Sequence, residues 1–411
     1  MGNSIHIFLP IGLGDFIAIT PLIKKIQDVF KNFNYKIYLS STQAKLVELV
    51  DFPIYRINLN IVNELKDYLL INQMLKDDNI IDFSGYLSYT KQINLLNYYY
   101  FGGLTEIFSF WGLGKSICTH PNIILKTQLE EECTNIIKKY NLPTEYIVIH
   151  RFSLDPTRQP PQAVWNFFLK KLNKKLNLPI VELGSKYDIN KGSLKISTKY
   201  YYDLRGKTSI KEVFCIIKNA NLFMGVDSFL AHLANAFKIK GIVFLGKYMG
   251  RFSQYLPYCG FYRKKSNLFV IRYAKEPISN LTIKELVPHL ENLWAWLEAN
   301  KNGNELYNPY DLKGNTDFLN FIYNSNSFIL WGAGNLGIYC YNFLRKLNKK
   351  VLYFVDSNKQ GYLLGNRIIS PQLFWKEFDK RSKILICTSY GWNTIANFLK
   401  SKGLIHFVDF I

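Results

Sequence analysis

Short unbroken apolar runs recur along the chain, each ending in a glycine-containing turn and followed by apolar residues spaced three or four apart. Ser4-Ile-His-Ile-Phe-Leu-Pro10 predicts a buried strand and Gly12-Leu-Gly-Asp15 a turn. Leu22, Ile23 and Ile26 then predict a helix to about Phe30. Strands at Tyr35–Leu39 and Ile80–Phe83, with helical patterns between them, fit a parallel α/β unit. A second unit opens at Tyr146–His150. It continues through the strand Pro179–Leu183, the helix Ile210–Ala220, the strand Leu222–Gly225, the helix Ala231–Phe237 and the strand Gly241–Leu245. Ile283, Leu286, Leu290, Leu293, Trp294 and Leu297 put one apolar stripe on a helix from Thr282 to about Asn300, which Pro288 should kink or start. A third unit shows the strand Ser327–Trp331, the turn Gly332–Gly337 and a helix to about Leu347. Strands at Val351–Val355 and Ile384–Thr388 and a helix at Trp392–Lys402 complete it.

Three strand-turn-helix openings thus predict three α/β units: 1–145, 146–300 and 326–411, with 301–325 as linker. The Asn-rich stretch Asn300–Asn315, with Gly303, Pro309 and Gly314, is the clearest linker composition. The aromatic stretch Asn97–Gly114 reads either as core or as an exposed apolar lobe.

Composition narrows the classes. No run of about 18 apolar residues predicts a membrane span, and Asp15 breaks the first apolar run too early for a secretory leader. The six cysteines (Cys118, Cys133, Cys215, Cys259, Cys340 and Cys387) form no C-x-x-C pair. That pattern speaks against a metal site or a disulfide framework and for a reducing cytoplasm. The net charge of +20 is uneven: residues 1–145 carry 13 basic and 14 acidic side chains, 146–300 carry 24 and 10, and 301–411 carry 14 and 7. A positive middle unit would attract a phosphate-bearing ligand, an anionic membrane surface or nucleic acid; a generally basic solvated surface is the alternative reading of the same charge. No nucleic-acid-binding motif accompanies the charge.

Asp227-Ser228 stands where the strand ending at Val226 turns into a helix. Both residues are good helix caps, so a plain capped helix is one reading. The other is a diphosphate site, because a helix start offers backbone N–H groups and the positive dipole end. The wider pattern favours the second. Asp203-Leu-Arg-Gly-Lys-Thr-Ser209, a helix, then Asp227-Ser-Phe-Leu-Ala-His232 and Gly246 closely resembles the bacterial heptosyltransferases, family 9 of the glycosyltransferases. Gly12-Leu-Gly-Asp15 followed by Thr20-Pro-Leu22 resembles the opening motif of the same family.

The resemblance covers about residues 1–300 and implies a GT-B fold, two facing Rossmann-like units, with the acceptor on the first and the donor on the second. It implies an inverting transfer of heptose or a related sugar, without a required metal, from a nucleotide-diphosphate donor, usually ADP-linked. The acceptor would be a cell-surface glycan or glycolipid, such as lipopolysaccharide core or capsule, at the inner face of the membrane. Asp15 matches the family's base, on the turn made by Gly12 and Gly14. Asp227, Ser228 and His232 match donor residues, Ser153 and Arg158 are the counterparts of its hydroxyl and cation, and Lys207 and Thr208 line the loop before the donor helix. Four residues at three places depart from the pattern. Phe229 replaces a glycine, Arg151-Phe152 replaces small residues, and Gly241 stands near a usual proline. These departures leave open a non-catalytic nucleotide-sugar-binding role.

In the third unit Gly332, Gly334 and Gly337, with Asp356 22 residues after Gly334, satisfy the spacing of a dinucleotide fingerprint. The unit is similar to small Rossmann-like modules appended to bacterial sugar-modifying enzymes. Assembly, nucleotide binding and NAD(P) chemistry all remain readings of it.

Overall fold

The computed structural model describes residues 4–9, 12–30, 35–41, 43–52, 55–58, 80–83, 104–115, 117, 119–194, 201–246, 267–273, 276–301, 317–388, 391–406 and 408–410. Three separate sheets are present among them. The first unit runs β1 (Ser4–Phe8), α1 (Leu13–Phe30), β2 (Lys36–Ser41), β3 (Tyr55–Asn58), β4 (Ile80–Asp82) and α2 (Leu104–Leu113). Its strands pair in parallel in the order β3-β2-β1-β4.

The second unit runs α3 (Thr127–Lys139), β5 (Ile147–His150), α4 (Gln162–Leu176), β6 (Ile180–Glu182), β7 (Tyr201–Asp203), α5 (Ile210–Lys218) and β8 (Leu222–Val226). It ends with α6 (Phe229–Ala236), β9 (Gly241–Gly246), β10 (Leu268–Tyr273) and α7 (Ile283–Lys301). The sheet is all-parallel, ordered β10-β9-β8-β5-β6-β7. The chain moves outward from β5 to β7, then returns to β8 and moves the other way. β5 and β8 therefore flank the switch point, where the loops after them diverge and leave a crevice.

After α8 (Asp317–Tyr323), a third sheet is built from β11 (Ser327–Trp331), α9 (Asn335–Lys346), β12 (Lys350–Val355), β13 (Gly361–Leu363), β14 (Asn366–Ile369), α10 (Pro371–Glu377), β15 (Lys383–Ile386) and α11 (Trp392–Ser401). Its order is β13-β14-β12-β11-β15, parallel except for the β13–β14 hairpin.

α1 is buried almost all round, from Phe16 to Thr20 and again at Leu22, Ile23 and Ile26. A helix apolar on every side must be enclosed on every side. α2 and α6 pack on it, the first sheet shares its hydrophobic core, and α6 is itself buried from Leu230 to Ala236. Pro21 lies inside α1 and has no N–H for the Ile17 carbonyl. The Thr20 hydroxyl donates to that carbonyl instead, at 2.8 Å, so the Thr-Pro pair acts as a unit. From α2, Thr105 donates to the Ala18 carbonyl at 2.8 Å.

Several expectations change. The aromatic stretch is core where it is described: Phe108 and Phe110 are fully buried, whereas residues 97–103 lie outside the described residues. Phe110 packs against Tyr323 and Phe343, and the Tyr323 hydroxyl donates to the Gly114 carbonyl at 2.7 Å. The end of the expected linker is therefore helix α8, docked on α2; most of Asn300–Asn315 lies outside the described residues. Pro288 falls inside α7 rather than at its start, because Thr282 and Glu285 cap the helix reciprocally six residues earlier.

The cysteine expectation is also corrected. Cys133 of α3 and Cys215 of α5 are disulfide-bonded, with Cα atoms 5.0 Å apart. The two lie 82 residues apart, so only helix packing brings them together and no local spacing announces the bond. Ion pairs Lys139–Glu212, Lys211–Glu132 and Lys218–Glu130 join the same two helices. α3, assigned by the sequence boundary to the first unit, thus packs on the second. The scattered cysteines no longer argue for a reducing compartment. Cys340 and Cys387 are free and buried, and Cys118 and Cys259 lie outside the described residues.

Candidate active site

β5 and β8 pair in register, His150 opposite Gly225. The strands come so close that a Cβ on Gly225 would stand 2.9 Å from the His150 carbonyl oxygen. The segments leaving the ends of these two strands therefore meet over one crevice. After β5, a short turn at Pro156–Arg158 is capped by Asp155, whose carboxylate accepts from the Thr157 N–H and hydroxyl. That turn swings Arg158 back across the switch point, where its Nη1 lies 3.3 Å from Oδ2 of Asp227. A second carboxylate, Asp155, is 3.8 Å from Arg158 Nε. The Asp227 side chain is only 7% exposed, so a cation beside it is a physical requirement.

Ser228 comes next, at the N-cap of α6, but its side chain makes no capping bond to the helix. The hydroxyl lies 2.9 Å from His150 Nδ1 instead. Burial pushes the His150 imidazole down to about 4, against the opposing pull of Asp188, so the ring is neutral near pH 7. His232, one turn into α6, is also buried, and desolvation lowers its pKa although Asp227 pulls it upward.

The first unit contributes the other wall. At the start of α1, the Gly12 N–H donates to Asp15 Oδ2 at 3.0 Å, closing the turn on which the acid sits. The next contact joins the units: a Cβ on Gly14 would be 2.8 Å from Cδ2 and 3.3 Å from Nε2 of His232. Only glycine lets α1 lie this close to the imidazole. The two sequence motifs, about 200 residues apart, therefore touch. Gly14→Ala gains about 1 kcal/mol in helix propensity, but overpacking against a buried ring costs about 1–3 kcal/mol. A lowered Tm is expected, and the loss should shrink in a His232→Ala background, where the ring is gone. Equal losses in both backgrounds would show that the contact is not the cause.

The remaining residues marked from sequence are Ser153, Lys207 and Thr208. The Ser153 hydroxyl accepts from the Asp155 N–H at 3.3 Å and belongs to the loop that carries Arg158. Lys207 turns onto its own loop, donating to the Asp203 carbonyl at 2.7 Å. That loop leaves β7, two strands from β5 at the sheet edge. The Thr208 hydroxyl oxygen is buried with no hydrogen-bond partner among the described residues.

The departures from the family pattern have structural accounts. Arg151 is 1% exposed, and its guanidinium donates to Glu182 at 2.8 Å, Gln162 at 2.7 Å and the Gly192 carbonyl at 2.9 Å. Phe152 lies under Arg151, with Arg205 beside the same ring. These residues tie the ends of β5 and β6 to the neighbouring loop. Phe229 leans back on Phe214 of α5, with ring centroids 6.0 Å apart. A Cβ on Gly241 would stand 2.4 Å from the buried Leu268 side chain, which a larger residue there would have to displace. His150 is the residue that sequence reading missed as a site member; its only signal was its place at a strand end beside the switch point.

In the third unit Gly332 has a φ of +125°, and a Cβ on Gly337 would be 2.0 Å from the Gly332 carbonyl oxygen. Both glycines are therefore steric necessities of the turn. Around Gly334 there is open space. Asp356 accepts from the N–H groups of Ala333, Asn358 and Lys359, and Lys359 donates to the Ala333 carbonyl.

Residues 125–252 match the family model of glycosyltransferase family 9 (heptosyltransferase), so the chain carries a glycosyltransferase domain of that family there. Among solved structures, ADP-heptose lipopolysaccharide heptosyltransferase II of E. coli aligns with a TM-score of 0.52 and 15% identity, over 72% of this chain and 100% of that one. A family 9 glycosyltransferase from Veillonella parvula aligns with a TM-score of 0.51 and 13% identity, over 71% and 97%. Both likenesses concern the fold, two α/β units of the GT-B kind. No curated protein sequence matches the chain. Among the described residues no helix is long and apolar enough to cross a membrane.

Proposed function

We propose that this chain, with its family 9 glycosyltransferase segment, is an inverting glycosyltransferase that moves heptose or a related sugar from a nucleotide-diphosphate donor, ADP-heptose first among candidates. The observation that carries the reading is the contact of Gly14 with His232, which sets the acid-bearing turn of the first unit against the donor helix of the second. In this reading Asp15 takes the proton of the acceptor hydroxyl as its oxygen attacks the anomeric carbon from the face opposite the leaving group. The bond to the diphosphate oxygen breaks, and its charge is received by Arg158 and the amides at the start of α6. Asp227, Ser228 and His232 hold the donor, with Ser153 shaping the loop under Arg158 and Lys207 and Thr208 at the outer edge. The E. coli relative's name pairs ADP-heptose with lipopolysaccharide. The proposed acceptor is correspondingly a cell-surface glycan or glycolipid, met at the cytoplasmic face of an anionic membrane by the basic second unit.

The buried settings of Arg151 and Phe152, and the packing of half-buried Phe229 on Phe214, support activity over a purely binding role, since none of the three needs to enter the crevice. For the third unit we favour a bracing role. Asp356 is engaged by its own turn, and α8 and α9 pack on α2, which in turn packs on α1. Nucleotide binding at Gly332–Gly337 is the alternative for that unit.

Incubation with ADP-heptose, other ADP- and UDP-sugars and a panel of lipopolysaccharide-core and capsule acceptors tests the main reading. Acceptor-dependent release of nucleoside diphosphate is expected from one donor. Donor binding without release from any pair would reassign the chain to a binding role.

A further inference from the structure

At the N-cap of a helix a serine hydroxyl ordinarily accepts from an amide of the first turn. Ser228 holds that position on α6 yet makes no such bond; its Oγ sits 2.9 Å from Nδ1 of His150. His150 is itself fixed. It ends β5, its backbone is in register with Gly225, and its side chain is buried. We propose that His150 is a positioning residue that holds the Ser228 hydroxyl off the helix start, keeping the first amides of α6, those of Phe229 and Leu230, available for the donor diphosphate. The inference rests on the donor-site reading above and adds to it a residue outside the recognised motif.

The chemistry explains the residue type. A hydroxyl without a partner at this place turns to the nearest donors, which are the helix amides, and then competes with the phosphate oxygens for them. An apolar side chain at 150 would allow that rotation. A permanently charged one would be stranded in a buried position. A neutral imidazole offers one polar atom at the right distance, and burial keeps it neutral at working pH.

Calorimetric titration of the full chain with ADP, and separately with UDP, tests the idea. His150→Leu is expected to weaken binding of the preferred nucleotide by roughly tenfold. His150→Asn, whose amide places a polar atom where Nδ1 stands, should restore most of it. In a Ser228→Ala background, His150→Leu should cost nothing further, because no hydroxyl remains to occupy the amides. A merely structural histidine would instead give the same loss in both backgrounds, and that result overturns the proposal, as does unchanged binding by His150→Leu. Should His150→Leu not fold, His150→Gln replaces it, since its amide lies one bond too far to hold the hydroxyl. If the wild-type chain binds neither nucleotide, the donor-site reading falls and this inference with it; wild-type binding with additive losses removes the inference alone.

Discussion

Asp15→Asn is expected to lower kcat by about 10²–10⁴-fold while donor affinity stays at the wild-type value. The proposed proton-accepting role of Asp15 and its turn-closing bond need different properties of the same atoms. In the structure Oδ2 accepts the Gly12 N–H at 3.0 Å, which closes the turn at the start of α1. An asparagine carbonyl accepts that bond equally well, so the turn and the approach of Gly14 to His232 survive. It does not accept a proton from an acceptor hydroxyl at neutral pH. The structural role is kept and the chemical one removed. Asp15→Ala serves as the contrast: it also strips the Gly12 N–H of its acceptor, so a drop in Tm should accompany its loss of activity. An Asn variant with undiminished kcat would reduce Asp15 to a helix-start residue. Loss of donor affinity in the same variant would place it on the donor instead.

The periodic elements were readable from sequence because their signals are local. β11 follows the apolar run Ser327–Trp331 residue for residue, and the start of α1 differs from expectation only in beginning two residues before Asp15. β7 and β13, three residues each and outside any apolar run, carry no such signal. The site divides on the same line. Asp15, Arg158, Asp227, Ser228 and His232 could be marked because each lies in or beside a motif. Their contacts could not be marked. The Gly14–His232 contact, the His150–Ser228 bond and the Cys133–Cys215 bridge each join residues far apart in the chain, through helix and strand packing that no window of sequence contains.

Phe229 and Arg151 show the opposite failure. The family pattern makes them suspicious at the site, whereas tertiary packing supplies Phe214 and Glu182 to receive them. Lys207 shows a third case. A cation near a phosphate site is a reasonable candidate, but its ammonium has a carbonyl partner on its own loop.

Arg158 separates charge from geometry in the same crevice. A carboxylate as covered as that of Asp227 repels a diphosphate unless a cation stands with it, and Arg158 lies 3.3 Å away. On the proposed reading, Arg158→Ala removes a donor to the departing oxygens and also exposes the nucleotide-sugar to the Asp227 charge. Losing one such preorganised donor costs about 10²–10³-fold in kcat, and the unmasked carboxylate should raise KM for the nucleotide-sugar as well. The two contributions can be told apart. Arg158→Lys keeps the charge but loses the planar fork that pairs with phosphate oxygens, so its KM should stay near wild type while kcat falls by a smaller factor. Arg158→Ala combined with Asp227→Asn removes the repulsion along with the cation. If Asp227 is what opposes the donor, the double variant binds it more tightly than Arg158→Ala alone, although kcat stays low. Equal affinity in the single and double variants would mean that the Asp227 charge is not felt at the diphosphate. Wild-type kcat and KM in Arg158→Ala would make the 3.3 Å pair a structural tie between two loops and move the phosphate site elsewhere in the crevice.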